Sequence, residues 1–304
     1  MPIPASIPHI LEVQLISGAK ADGAGPQLVI ELPHGATEQA HYQHHQAEMK
    51  GALPEQLDHF FFVNTDIASP EIAVAMAEAV VKLRPTFSVL ILRSLIPRTL
   101  IDCNRILTAD DAMIQAGKVT PGMPPYIQDA EDIERLVSAH QSYQQAVTAA
   151  IDAVCLAGGR LLFLHTYAPR TVGISTVDAS IVAQLHWAYA PEQLVRWPIR
   201  PQVDFISLTP DGEELADTHW LTQARSHLTD AGFQLGTGGS YPLHPVTTAY
   251  HHAKRHPKQS LCMEVRRDVL VSAFRPFEQM HAQPDKIQRI ADPLAAAFVA
   301  VFSA

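Results

Sequence analysis

The chain has 304 residues, 47% apolar and 17% charged, which suits one large globular domain or two small ones. Thirty-one acidic residues outnumber 22 basic ones, and the net charge of −9 argues against nucleic acid or an anionic membrane as partner. Three cysteines (Cys103, Cys155 and Cys262) are too few for a disulfide scaffold and lack metal-ligand spacing, so reduced core thiols are expected. No apolar run is long enough to span a membrane, and the first residues lack the basic and apolar segments of a signal peptide, so a cytoplasmic location is expected. Sixteen histidines are the compositional hint of metal chemistry.

In chain order, short runs rich in Val, Ile, Leu and Phe predict strands at 27–32, 60–64, 87–93, 161–166, 205–209, 233–235 and 260–265. They are continuous apolar runs, as in a sheet covered on both faces. Helices are predicted between them. One covers 70–83, with Ser69 as cap and Pro70 at the first position. Others cover 129–156, 212–231 and 287–302. A further short helix is expected after Thr37-Glu38, with His41, His44 and His45 on a solvated face. His251, His252 and His256 fall in a polar helical stretch and are expected at the surface. There is no repeat or linker, so residues 1–304 are read as a single α/β domain with a mixed, mostly parallel sheet.

In such sheets, ligands collect at the carboxyl ends of the parallel strands. The predicted strand ends bring up His34, Asp66, Arg98, Asp102, Asn104, Arg105, His165 and Glu264. Two imidazoles and a carboxylate make a three-ligand zinc site with a position left open. A further carboxylate is needed to move a proton, and arginines to meet an oxyanion or a substrate carboxylate. Glu264, between Met263 and Val265, is costly to bury unless it has a partner or a function. A structural salt bridge from Arg98 or Arg266 is the alternative explanation for it.

The segment RTLIDCNR (98–105) resembles a motif of the N-formylglutamate amidohydrolases. PHGAT (33–37), LHTYAP (164–169) and GGSYPLHP followed by LCMEVRRDVL (238–270) resemble further elements of that family, in the same order along the chain. The resemblance implies a zinc carboxypeptidase-like fold. It also implies zinc-dependent hydrolysis of the amide bond of a small, carboxylated N-acyl amino acid. His34 and His165 would bind Zn2+ with Asp66, or alternatively Glu38, as the third ligand. Glu264 would be the general base and Arg98 the oxyanion partner. Asn104 and Arg105 would hold a substrate carboxylate, with Tyr241 lining the pocket and Asp102 orienting the arginines. Many members have an acid two residues before the second histidine, where this chain has Phe163. Two other readings stay open: a carboxypeptidase-type peptidase acting on peptides or cell-wall stems, and a non-catalytic binding protein for a carboxylated metabolite.

Overall fold

A computed structural model describes residues 3–23, 25–109, 120–174 and 176–302. Six strands form one sheet: β1 (Leu11–Ser17), β2 (Leu28–Leu32), β3 (Ser88–Ser94), β4 (Arg160–Tyr167), β5 (Val203–Phe205) and β6 (Ser260–Arg266). Their order is β1-β3-β2-β4-β6-β5. The four central strands run parallel, while β1 and β5 pair antiparallel at the two edges.

Helices cover both faces, which is why the central strands are apolar without alternation. The helices are α1 (Gln39–Ala47), α2 (Leu57–Asn64), α3 (Ser69–Leu83), α4 (Ala130–Leu156), α5 (Ile181–Tyr189), α6 (Pro191–Leu194), α7 (Thr218–Asp230), α8 (Thr248–Arg255) and α9 (Pro284–Val301). On one face, α9 packs against α3 and α7. Ile30, Leu162 and Met263 of the sheet meet Met76, Trp220 and Phe298 there. On the other face, Val29, Leu161, Phe163 and Cys262 meet Tyr143, Val147 and Ile151 of α4, with α1, α2 and α5 completing that layer.

The 60–64 run is helical, the last part of α2. A short apolar run cannot be assigned from periodicity alone. Phe60, Phe61 and Phe62 are all buried, so hydrophobicity around the whole helix imitates a buried strand. Strand β1 has no counterpart among the predicted strands. It is an edge strand with several exposed residues, and its apolar signal is correspondingly thin. The predicted 205–209 strand is displaced to β5, and the predicted 233–235 strand is reduced to one bridge between Leu235 and Val203. The 212–231 helix shortens to α7, where Asp217 caps the backbone N–H groups of His219 and Trp220.

The predicted start of α4 is one residue early, because Asp129 is its cap. Asp129 Oδ1 accepts from the backbone N–H groups of Glu131 (3.0 Å) and Asp132 (3.1 Å). Asp129→Ala is expected to cost about 1 kcal/mol, seen as a lower urea midpoint with an unchanged slope.

The histidines of the α1 region are less solvated than expected. His45 is buried, and its Nε2 lies 2.9 Å from the His9 carbonyl oxygen. His44 stacks on His9, and His41 Nδ1 accepts from the Glu38 backbone N–H. His252 and His256 are also buried, the latter against Asp152 at 2.7 Å.

Candidate active site

The carboxyl ends of β2, β4 and β6 open onto one cluster. The turn after β2 carries His34. Its neighbour Gly35 has no room for a side chain, since a Cβ would lie 2.5 Å from Arg93 Cγ and 3.1 Å from the Leu32 carbonyl oxygen. His165 projects from β4 and stands in register with Glu264 on β6. Asp66 comes from the turn between α2 and α3. That turn is pinned on both sides: Thr65 Oγ1 donates to the Ala36 carbonyl oxygen (2.7 Å), and Thr166 Oγ1 donates to the Ile67 carbonyl oxygen (2.8 Å). Ala68 closes it at a φ of 70°. A left-handed alanine is strained, and such strain persists only where surrounding contacts hold it.

The Asp66 side chain does not cap α3. Its Oδ2 lies 3.3 Å from His34 Nδ1 and 3.0 Å from His165 Nδ1. All three residues are buried, and one ligand atom from each lies within 4.8 Å of the others. Tetrahedral zinc ligands at about 2.0–2.1 Å sit roughly 3.3 Å from one another, close to the two separations between Asp66 Oδ2 and the imidazole nitrogens. Burial alone would raise Asp66, but the neighbouring His34 and His165 outweigh it and hold its carboxyl far below the usual range. Its other oxygen lies 3.5 Å from Arg267 Nη2. Arg267 also donates to the carbonyl oxygens of Val63 and Thr166.

The other nitrogen of His34 is held as well. His34 Nε2 lies 2.8 Å from Asp102 Oδ1. A carboxylate on the far side of a metal-facing imidazole fixes its tautomer and raises its basicity. The same Asp102 receives Arg98 Nε on Oδ2 at 3.0 Å and lies 3.7 Å from Arg105 Nη1. It thus orients the arginines and His34 together. Position 163 holds a fully buried Phe, and the acid in that layer of the sheet is Glu31, its register partner on β2. Burial pushes Glu31 up to about 8, with the Tyr143 hydroxyl on its Oε1 at 3.1 Å opposing the shift.

Glu38 stays outside the cluster. Its side chain is 56% exposed and pairs with Arg93 at 3.2 Å.

Glu264 is only partly buried, yet its Oε2 is shut away from solvent and, among the described residues, has no hydrogen-bond partner. Burial pushes its carboxyl up to about 7, against the pull of His165. Neither arginine suggested for a salt bridge reaches it, because Arg98 is on Asp102 and Arg266 on Asp268. Among the described residues it forms no ion pair.

The expected carboxylate grip is only partly free. Asn104 Oδ1 accepts from Thr248 Oγ1 (3.1 Å) and the Ala249 N–H (3.3 Å), which ties its loop to α8. Arg105 spends Nε and Nη1 on the carbonyl oxygens of Thr120 and Asn104. Tyr241 is 36% exposed and meets Arg200 through its hydroxyl. Its loop hangs on Asp204, whose carboxylate accepts from the N–H groups of Gly238 (2.9 Å) and Ser240 (3.1 Å). Gly238 has a φ of 84°, which favours glycine there. Arg200 and Asp204 have no signal in the sequence beyond their residue type, while Arg267 falls within the LCMEVRRDVL element without a role assigned to it.

The family model of the N-formylglutamate amidohydrolases matches residues 27–271. The chain belongs to this family. Its matched span begins just before β2 and ends just past β6, so it includes every residue of the cluster. An N-formylglutamate amidohydrolase from Ralstonia eutropha JMP134 is similar in fold at 14% identity and a TM-score of 0.58, covering 97% of this chain and 98% of its own. A gene product from Agrobacterium tumefaciens aligns at 15% identity and a TM-score of 0.54, covering 97% and 95%. A metallo-carboxypeptidase from Burkholderia cenocepacia aligns more loosely, at 13% identity and a TM-score of 0.45, covering 96% of this chain and 61% of that one. No curated protein matches the chain. Among the described residues, no helix is long and apolar enough to cross a membrane.

Proposed function

We propose that this member of the family is a zinc-dependent amidohydrolase that cleaves the amide bond of a small N-acyl amino acid of the N-formylglutamate type. The observation that carries the reading is the buried His34–Asp66–His165 set with an unpaired carboxylate, Glu264, beside it on the next strand. An ion held by those three residues would supply Lewis-acid polarisation of the acyl group and a more acidic water.

The chain's own residues do the rest. Glu264 accepts the proton of the attacking water and delivers it to the departing amine nitrogen. Asp102 holds Arg98 through Nε, which leaves its remaining N–H groups for the oxygen that gains charge. Asn104, Arg105 and Tyr241 line the side that receives a substrate carboxylate.

Elemental analysis after growth in zinc should find about one zinc per chain, removed by chelation and restored on reconstitution. The restored protein should release formate from N-formyl-L-glutamate and lose that activity on chelation. Hydrolysis of tetrapeptides in preference to N-acyl amino acids would make it a peptidase instead. A chain that takes up no metal and cleaves nothing in the panel would make it a binding protein.

A further inference from the structure

Four arginines surround the cluster, and three are committed to its acids: Arg98 and Arg105 to Asp102, and Arg267 to Asp66. The fourth, Arg200, has no carboxylate partner among the described residues. It lies just ahead of β5, at the carboxyl end of β6, and its positive charge is felt at the Glu264 carboxyl. A partly buried guanidinium with no carboxylate partner, in contact with the pocket residue Tyr241, calls for an anion.

Its position is also fixed in advance. The guanidinium stacks on the rings of Tyr167 (5.0 Å) and Tyr241 (5.4 Å). Its Nε donates to Thr171 Oγ1 at 2.9 Å, Nη2 meets the Tyr241 hydroxyl, and Nη1 lies 3.5 Å from the Ala168 carbonyl oxygen. The backbone is clamped too, with the Arg200 N–H on the Pro169 carbonyl oxygen and Arg266 Nη1 on the Arg200 carbonyl oxygen. A side chain ordered this way loses little entropy on binding, so the charge is available for recognition.

We propose that Arg200 is the specificity-determining residue of this site, pairing with a second carboxylate of the substrate, distinct from the one that faces Asn104 and Arg105. The inference rests on the amidohydrolase reading for its substrate class, but it can be tested without catalysis. A substrate with acids at both ends would then be held by two separate cationic positions. A mono-acid of the same shape would leave Arg200 without its anion.

The test is calorimetric binding of L-glutamate and of its isostere L-glutamine, which lacks only the side-chain charge, to the zinc-loaded protein. The wild type should prefer glutamate by on the order of 10- to 100-fold. In Arg200→Gln the two ligands should bind within about threefold of each other, mainly through weakened glutamate binding. The same collapse should appear in KM for N-formylglutamate over N-formylglutamine, with kcat changing less. If Arg200→Gln does not fold, Arg200→Lys replaces the stacked fork by a point charge and should cut the preference several-fold. A wild type without the preference, or a variant that keeps it in full, overturns the proposal. Intact glutamate preference with no formate released from either substrate would sink the amidohydrolase reading and leave the role of Arg200 standing.

Discussion

Glu264→Gln is expected to lower kcat/KM for N-formyl-L-glutamate by about a thousandfold or more while leaving metal content and fold unchanged, since general acid–base groups contribute roughly 10²- to 10⁴-fold. The substitution keeps the shape of the side chain and removes its negative charge and its capacity to take up and release a proton. Among the described residues Glu264 forms no ion pair, and its buried Oε2 has no hydrogen-bond partner to lose. Stability should therefore barely change, or rise slightly, because a buried carboxylate is replaced by a neutral amide. The pH profile adds a second readout. Burial raises the Glu264 carboxyl to about 7, and the base is active only when ionised. Activity should fall as pH drops through that value, and a cation held by the cluster would move the midpoint lower. The residual activity of the variant should not follow that limb. Unaltered turnover across N-acyl acidic amino acids would remove Glu264 from the mechanism.

The sequence made the sheet interior and the strand ends legible for one reason: parallel strands buried on both faces are apolar throughout, so a polar residue just past such a run stands out. His34 stands just past its run, while His165 and Glu264 lie inside theirs, where an isolated polar residue needs a partner or a function, and the cluster brings all three to adjacent strand ends. Asp66 was harder to read. The run before it reads as a strand but forms helix α2, yet the acid still reaches the cluster because the turn after α2 is pinned to the ends of β2 and β4. Here the motif order carried more information than the local periodicity. The choice between Asp66 and Glu38 needed three dimensions, since both lie a few residues from a helix start and only one faces inward.

What the sequence concealed were roles set by partners distant along the chain. Asp102 was legible as a partner for nearby arginines, but not as the group behind His34, which is 68 residues away. Arg200 is one arginine among many until the tyrosines at 167 and 241 close on it. The histidines misled for the same reason. His45, His252 and His256 lie in polar stretches that look solvated, yet a backbone carbonyl, a phenylalanine ring and an aspartate take them inside. Composition counts histidines without separating those that meet other protein groups from those that face a ligand.

Asp102→Ala is expected to be the most damaging single change at the site for stability and activity together. The carboxylate is 2% exposed and serves four groups: His34 Nε2, the Asn104 N–H at 2.8 Å, Arg98 Nε and Arg105 Nη1. Removing it leaves two arginines without their acid in the interior, and breaking a buried ion pair from one side costs about 3–5 kcal/mol. It also frees the tautomer and ring orientation of His34, and losing such a support weakens metal binding by roughly 10- to 100-fold. Asp102→Asn separates the two effects. It keeps the volume and one acceptor, so it should fold, yet it cannot neutralise the arginines and should still bind metal more weakly. Burial would raise the Asp102 carboxyl, but Arg105, Arg98 and His34 hold it well below the ordinary value. A depressed carboxylate stabilises the fold above its unfolded pKa of about 3.9 and loses that contribution as pH falls below it. The stability gap between the wild type and Asp102→Asn, measured by urea unfolding, should therefore be constant from neutral pH down to about 4 and narrow below it. A gap that widens on acidification, or an Asp102→Asn variant with unchanged metal affinity, would show that Asp102 does not charge-pair and support the site as its contacts indicate.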